Sequence, residues 1–175
     1  QDQIRIGKNG FPRGNYGVNL GLRYKGFSLN VLFQGATRFD MELGSTVKMN
    51  DSQTGSTPVY GFQTDYWTEN NSNAKFPRLI SSGSVNGNNN HVTSDFWLIN
   101  GAYLRMKDVQ LSYDFKQILL RDVKWISSLN VVLSGQNLFT ISEATKYGMD
   151  PENASTNNYA YPMERVYGFG INVGF

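Results

Sequence analysis

From Arg165 to Phe175, the residues Tyr167, Phe169, Ile171, Val173 and Phe175 share one parity, and Gly168, Gly170, Asn172 and Gly174 share the other. Successive side chains of a β-strand point to opposite faces, so this run predicts a strand with one apolar side and one small or polar side. The pattern recurs in Tyr16 to Tyr24, where Tyr16, Val18, Leu20, Leu22 and Tyr24 oppose Gly17, Asn19, Gly21 and Arg23. Lys25-Gly26 then supplies a tight turn, and Phe27, Leu29, Val31 and Phe33 continue the apolar side, which predicts a β-hairpin. Val109, Leu111, Tyr113 and Phe115 mark a third strand, and Leu129, Val131 and Leu133 a fourth that runs to about Phe139. Strands of about ten residues with aromatics near their ends match the demands of a transmembrane β-barrel, in which lipid-facing and lumen-facing residues alternate.

The third strand breaks its own phase. Leu104 and Met106 lie on the parity opposite to Val109 and Leu111. Either a β-bulge switches the phase, or the upper half of the strand lies above the bilayer, where the lipid rule lapses. The second is favoured here, because Arg105 and Lys107 would otherwise meet lipid at a cost of roughly 2 to 4 kcal/mol each near the midplane.

The connections alternate in length. Lys25-Gly26 is minimal and Lys116 to Ser128 is modest, with a helical turn expected around Gln117 to Arg121. Ala36 to about Leu98, and Ser142 to about Glu164, are long and rich in Asn, Ser, Thr and Gly. Outer-membrane barrels have short periplasmic turns and longer external loops, which predicts that both long segments are extracellular and that the carboxy-terminus is periplasmic. Loops this long are uncommon unless functional.

Composition narrows the classes. Across 175 residues there is no Cys, so disulfides, thiolate metal sites and a Cys nucleophile are excluded. The one histidine, His91, sits in the polar run Asn88-Asn89-Asn90, and a metal site normally needs several converging ligands. No metal, no cofactor and no catalytic set is expected, so the chain does not read as an enzyme. The acids Asp150, Glu152, Asp65 and Glu69 lie in polar loops and read as solvated. A net charge of +2 with scattered Lys and Arg lacks the basic footprint of a nucleic-acid binder. No apolar run approaches the roughly 20 residues of a membrane-spanning helix, which does not bear on a barrel.

A soluble β-sandwich, such as a carbohydrate-binding module, also has alternating strands. Against it, the non-apolar parity is mostly Gly, Ser, Asn and Gln with few Lys or Glu, an odd choice for a water-exposed sheet face that must resist edge pairing. A lumen-facing wall has no such need. The expected fold is therefore all-β: about five strands of an antiparallel transmembrane β-barrel with long external loops.

Several segments carry a resemblance. They are Asn100-Gly-Ala-Tyr-Leu-Arg-Met-Lys-Asp-Val-Gln-Leu-Ser-Tyr113, Leu129-Asn-Val-Val-Leu-Ser-Gly-Gln-Asn-Leu-Phe139, and Tyr161-Pro162 with the strand to Phe175. Asp65-Tyr-Trp-Thr-Glu-Asn70 with Ala74-Lys-Phe-Pro-Arg-Leu79, and the hairpin in Gly14 to Phe33, add to them. In this order they resemble the SusC/RagA type of TonB-dependent outer-membrane transporters of Bacteroidetes, over almost the whole chain.

That resemblance implies a barrel of about 22 strands whose lumen is plugged. Residues 1–175 are then expected to be its carboxy-terminal part, with the plug domain and remaining strands absent from this chain. It also implies partners: the remaining SusC-like barrel and plug, a SusD-like surface lipoprotein acting as a lid, the TonB-ExbB-ExbD system reached through the plug region, the barrel-assembly machinery, the lipid bilayer, and an oligosaccharide or peptide substrate, with no nucleic acid. A non-transport barrel or adhesin is the other membrane alternative. Tyr66, Trp67, Trp97, Tyr147, Tyr159 and Tyr161 in the loops are candidates for contact with substrate or lid, since aromatics stack on sugar rings and peptide groups. The same rings would equally serve as internal anchors of large folded loops. Tyr167, Phe169, Ile171, Val173 and Phe175 resemble the signal read by the barrel-assembly machinery, and aromatics also favour the membrane boundary.

Overall fold

The long alternating segments form strands, and three short strands join them. β1 (Gly14–Tyr24), β2 (Phe27–Thr37), β3 (Asp40–Glu42), β4 (Leu98–Asn100), β5 (Tyr103–Asp114), β6 (Ser128–Gln136), β7 (Thr140–Ser142) and β8 (Val166–Gly174) follow in chain order. The structure, a computed structural model, describes residues 4, 6–8, 10–44, 60–78, 89, 92–116, 120–153 and 163–175. The chain divides into two compact units. One gathers Gly14–Thr37, Tyr103–Ile141 and Pro162–Phe175, and the other Gln1–Arg13, Arg38–Ala102 and Ser142–Tyr161.

The first unit is an open antiparallel sheet in the order β1-β2-β5-β6-β8, with β7 also paired to β5. The hairpin β1–β2 turns through Lys25 (φ 43°) and Gly26 (φ 84°). Positive φ at both central residues is the primed turn whose twist suits a two-residue hairpin, and it explains a glycine there. The expected helical turn at Gln117 to Arg121 falls largely on residues 117–119, outside the described residues. Beside them, the Lys116 ammonium donates to the carbonyls of Leu120 (3.0 Å) and Val123 (2.6 Å), which closes the β5–β6 connection.

Register decides what each face carries. Leu22, Leu29, Leu111, Leu133 and Phe169 lie in one row across the five strands, and Tyr24, Phe27, Tyr113, Val131 and Ile171 in the next. On the other face, Gly21, Asn30, Gln110, Ser134 and Gly168 form the corresponding row. The apolar rows are not covered by protein: Leu20, Leu22, Leu133, Phe169 and Ile171 are all at least half exposed. An apolar face this broad is far beyond the isolated exposed side chains of ordinary soluble proteins.

Aromatics gather toward both ends of this band. Near the hairpin turn, the Phe27 and Tyr113 rings lie 4.4 Å apart, Tyr113 meets Phe115 edge-on at 4.6 Å, and Trp125 stacks on Phe175 at 6.2 Å. At the far end stand Tyr16 and the Phe33–Phe139 pair, 6.3 Å apart. Tyr16 and Tyr24 are eight residues apart on β1, about 26 Å along the strand and about 20 Å in depth at a barrel's tilt. That is close to the height of a barrel's lipid-facing band.

The phase break of the third strand is a bulge, contrary to the reading favoured from sequence. Leu32 pairs with Asp108 but Phe33 pairs with Met106, so Lys107 is the extra residue. The bulge returns Leu104 and Met106 to the apolar face and turns Arg105 away from it. Arg105 is 2% exposed, and its Nε donates to the Thr140 hydroxyl at 2.9 Å. On its other side β5 meets a matching irregularity: Asn137, at φ 53°, donates its N–H to the Lys107 carbonyl, and Met106 donates to the Phe139 carbonyl. The fourth strand therefore stops at Gln136 rather than Phe139 and resumes as β7.

One close approach pins the far end. The Tyr16 ring lies over Gly35, its register partner, where any Cβ would collide with it, and the Tyr16 hydroxyl donates to the Tyr103 carbonyl at 2.9 Å.

Candidate functional site

The second unit is built around inward-facing aromatics. Among the described residues Phe39, Met41, Leu43, Phe76, Trp97, Ile99, Tyr147 and Met149 are its large buried apolar residues. The short strands β3 and β4 pair with each other and bring Phe39 against Gly101, whose N–H donates to the Phe39 carbonyl at 3.0 Å. The Phe39 ring fills the space a Cβ on residue 101 would need.

The segment Asp65 to Phe76 is folded by its own polar groups. Trp67 donates its N–H to the Phe76 carbonyl, Phe76 donates back to the Asp65 carbonyl, and Thr68 and Asn71 exchange backbone hydrogen bonds across a tight turn. The Asp65 carboxylate accepts from the Asn71 amide (3.1 Å) and the Lys75 backbone N–H (3.2 Å), closing the base of the loop. Side chains of Asx type favour such local bonds over regular structure.

Around Phe76 the rings form a connected cluster. Phe76 lies 6.4 Å from Trp97 in a near-parallel arrangement and meets Phe96 edge-on, while Phe96 and Trp97 meet edge-on at 4.8 Å. On the other side, Phe62 bridges Phe76 (5.9 Å) and Tyr147 (5.3 Å). The Lys75 ammonium donates to the Tyr147 hydroxyl at 3.1 Å and lies 5.1 Å from that ring's centre and 5.5 Å from the centre of Phe76. Tyr147 ends a 3-10 turn, Ala144–Tyr147, stopped by Gly148 at φ 68°.

A cleft of about 490 Å³ opens on this cluster, lined by Trp67, Phe76, Phe96 and Trp97 together with Lys75 and Arg78. The sequence-predicted residues separate. Trp67 is 38% exposed at the cleft, whereas Trp97 (3%) and Tyr147 (6%) are buried in the cluster. Tyr66 is half-buried and forms a bridge to Phe76. Tyr159 and Tyr161 lie outside the described residues. Sequence reasoning missed Phe96, Lys75 and Arg78; two of these stand in the Ala74–Leu79 segment, and the Asp95-Phe-Trp97 run was the available signal for the third.

Tyr167, Phe169, Ile171, Val173 and Phe175 line one exposed side of β8 and its last residue. Among the described residues no three His, Asp or Glu side chains converge on a metal position.

No family model matches the chain. It is 24% identical to the TonB-dependent receptor P3 of Formosa agariphila over 177 aligned positions, covering 94% of this chain and 16% of that protein. Among solved structures, the RagAB peptide importer in its open-open state matches with a TM-score of 0.67 and 26% identity, and in its closed-closed state with 0.70 and 25%. Both matches cover 98% of this chain and 18% of the matched one. The chain thus spans under a fifth of the length of the relatives it matches, and its open sheet corresponds to a segment of a transmembrane β-barrel.

Proposed function

We propose that this SusC/RagA-like chain is a wall-and-loop portion of a TonB-dependent importer of the bacterial outer membrane, taking up an oligosaccharide or a peptide. The observation that carries the reading is the uncovered apolar face of five strands, each 9 to 12 residues long. Strands of about 9 to 11 residues suffice to cross a bilayer when tilted. Backbone groups at a sheet edge are not tolerated in lipid, so β1 and β8 are to be paired by the remaining strands of the barrel. On this reading residues 1–175 are the carboxy-terminal part of that barrel, and the plug is supplied outside them.

The long loops are extracellular and meet a SusD-like lipoprotein lid and the substrate, while TonB-ExbB-ExbD acts through the plug. Support for import comes from the match to structures of the RagAB peptide importer, and the lid is what the SusC/RagA resemblance implies. Of the rings expected from sequence, Trp67 is the one that contacts substrate or lid, a role supported by its partial exposure at the cleft. Trp97 and Tyr147 anchor the loop unit. Tyr167, Phe169, Ile171 and Val173 of β8, with Phe175 just beyond it, serve both as interface anchors and as the assembly signal. Phe175→Asp is expected to lower the outer-membrane level of the protein, and normal abundance would remove the assembly role.

The test is purification from outer membranes in detergent, with identification of everything bound. Recovery with a complete barrel and a SusD-like lipoprotein supports the importer. Recovery as a species soluble without detergent favours the sandwich binding module instead, and a complete barrel without a lid favours the adhesin.

A further inference from the structure

The cleft over the aromatic cluster has an electrostatic character that neither its fold nor its aromatics require. Lys75 and Arg78 line it, and among the described residues no acidic side chain does. The partner of the Lys75 ammonium is a neutral phenol, the Tyr147 hydroxyl, and its other neighbours are the faces of Phe76 and Tyr147. Arg78 is exposed and makes no ion pair among the described residues, where Lys8–Asp40 is the salt bridge present. The Asp65 carboxylate in the same loop accepts from the Asn71 amide and the Lys75 backbone N–H, and forms no ion pair with either cation among the described residues. Two cations therefore line the cleft beside partly exposed Trp67 and Phe96, with no ion pair to either among the described residues.

Aromatic faces on which a ring or a planar group can lie, flanked by two cations, match a ligand that is flat on one side and anionic at its edge. A guanidinium takes a carboxylate through two parallel hydrogen bonds, and an ammonium adds a point charge. Free sulfate or phosphate would meet the charge but brings no adjoining surface to stack. We propose that this cleft is a subsite for a carboxylate carried on an oligomeric ligand, held by Arg78 and Lys75 while the adjoining unit packs on Trp67 and Phe96. The carboxylate comes either from a uronic acid residue of an oligosaccharide or from an acidic residue of a peptide. This rests on the importer reading and adds to it a charge selectivity located in the loop unit.

The experiment is calorimetric binding to the complete transporter in detergent with four probes: an oligogalacturonate, its methyl ester, an oligoglutamate, and its amide, the oligoglutamine. The proposal expects at least one acid to bind about tenfold or more tightly than its neutral counterpart, as befits the loss of a charge-assisted hydrogen bond. The preferred acid identifies the carrier, sugar or peptide. Raising the ionic strength is expected to narrow the gap between acid and neutral form. Lys75→Met with Arg78→Gln should abolish the gap. Because Lys75 also holds Tyr147, Arg78→Gln is tested alone as well; it removes only an exposed side chain and should narrow the gap severalfold.

Equal binding of acid and neutral forms, no binding of either acid, or a gap that survives both substitutions overturns the proposal. Uptake by cells separates this from the importer reading. Wild-type cells should import neutral oligomers if the transporter itself is sound, whichever way the binding comparison falls. Failure of wild-type cells to import any oligomer would instead sink the importer and leave the binding result to stand or fall by itself.

Discussion

The two units solve opposite problems with the same kind of side chain. In the sheet, Leu22, Leu133, Phe169 and Ile171 point outward and stay uncovered, while the other face carries Asn30, Gln110 and Ser134. In the loop unit, Phe39, Phe76, Trp97 and Tyr147 point inward and are under a tenth exposed. The first arrangement needs a solvent that is itself apolar; the second is the ordinary arrangement of a protein in water. One chain thus contains a piece folded for lipid and a piece folded for water, and aromatic residues mean something different in each.

Breaking the inward arrangement should have the largest effect. Trp97→Ala removes a buried ring that stacks on Phe76 and meets Phe96 edge-on, and is expected to cost the loop unit about 3 to 5 kcal/mol. Trp67→Ala, at the partly exposed cleft, should change stability by about 0.5 kcal/mol or less while weakening ligand binding. Limited proteolysis of the loop segments reads the first, and calorimetry the second. Equal proteolytic sensitivity of the two variants would contradict the division between anchor and contact.

Breaking the outward arrangement comes next. Leu133→Arg places a charge on the uncovered face and should cost roughly 2 to 4 kcal/mol if that position lies near the bilayer midplane. Its neighbour Ser134→Arg points to the other side and should be tolerated far better. Folding yield of the two variants in lipid vesicles checks the asymmetry, and similar losses for both would remove it.

A smaller effect is expected where the sheet is pinned. Gly35→Ala pushes a methyl group into the Tyr16 ring and into the Tyr103 carbonyl, and should cost about 1 to 3 kcal/mol. Tyr16→Phe keeps the ring and removes only the hydrogen bond to Tyr103, a loss of about 1 kcal/mol. Denaturant melts of the variants order these losses, and a larger cost for Tyr16→Phe would shift the weight from packing to the hydrogen bond.

The same contrast explains what could be read from the sequence. The long strands announce themselves, because a lipid-facing wall must alternate residue by residue, and Tyr16 to Tyr24 or Tyr167 to Phe175 show it without any knowledge of neighbours. The bulge at Lys107 was visible only as a break in phase. Choosing between a bulge and a change of environment required the pairing of Asp108 with Leu32 and of Met106 with Phe33 across the sheet. The loop unit has no period to read. Its core depends on contacts distant in sequence, such as Phe39 with Gly101 or Lys75 with Tyr147, so nothing local marks Trp97 as buried and Trp67 as half exposed. Three-residue strands such as β3 and β4 are fixed by the same remote contacts.

Whether the uncovered face meets lipid is decided by a spin-label scan of β6 and β8, with labels placed singly at 131 to 134 and 168 to 171 in the complete protein reconstituted in bilayers. Collision rates with dissolved oxygen and with a water-soluble nickel chelate are then compared position by position. The account predicts strict alternation: oxygen reaches positions 131, 133, 169 and 171 from lipid, and the chelate reaches or neither reaches 132, 134, 168 and 170. Chelate access to 133 and 169 equal to that at 134 and 168 would mean that the uncovered apolar face meets water, and the membrane account would be wrong.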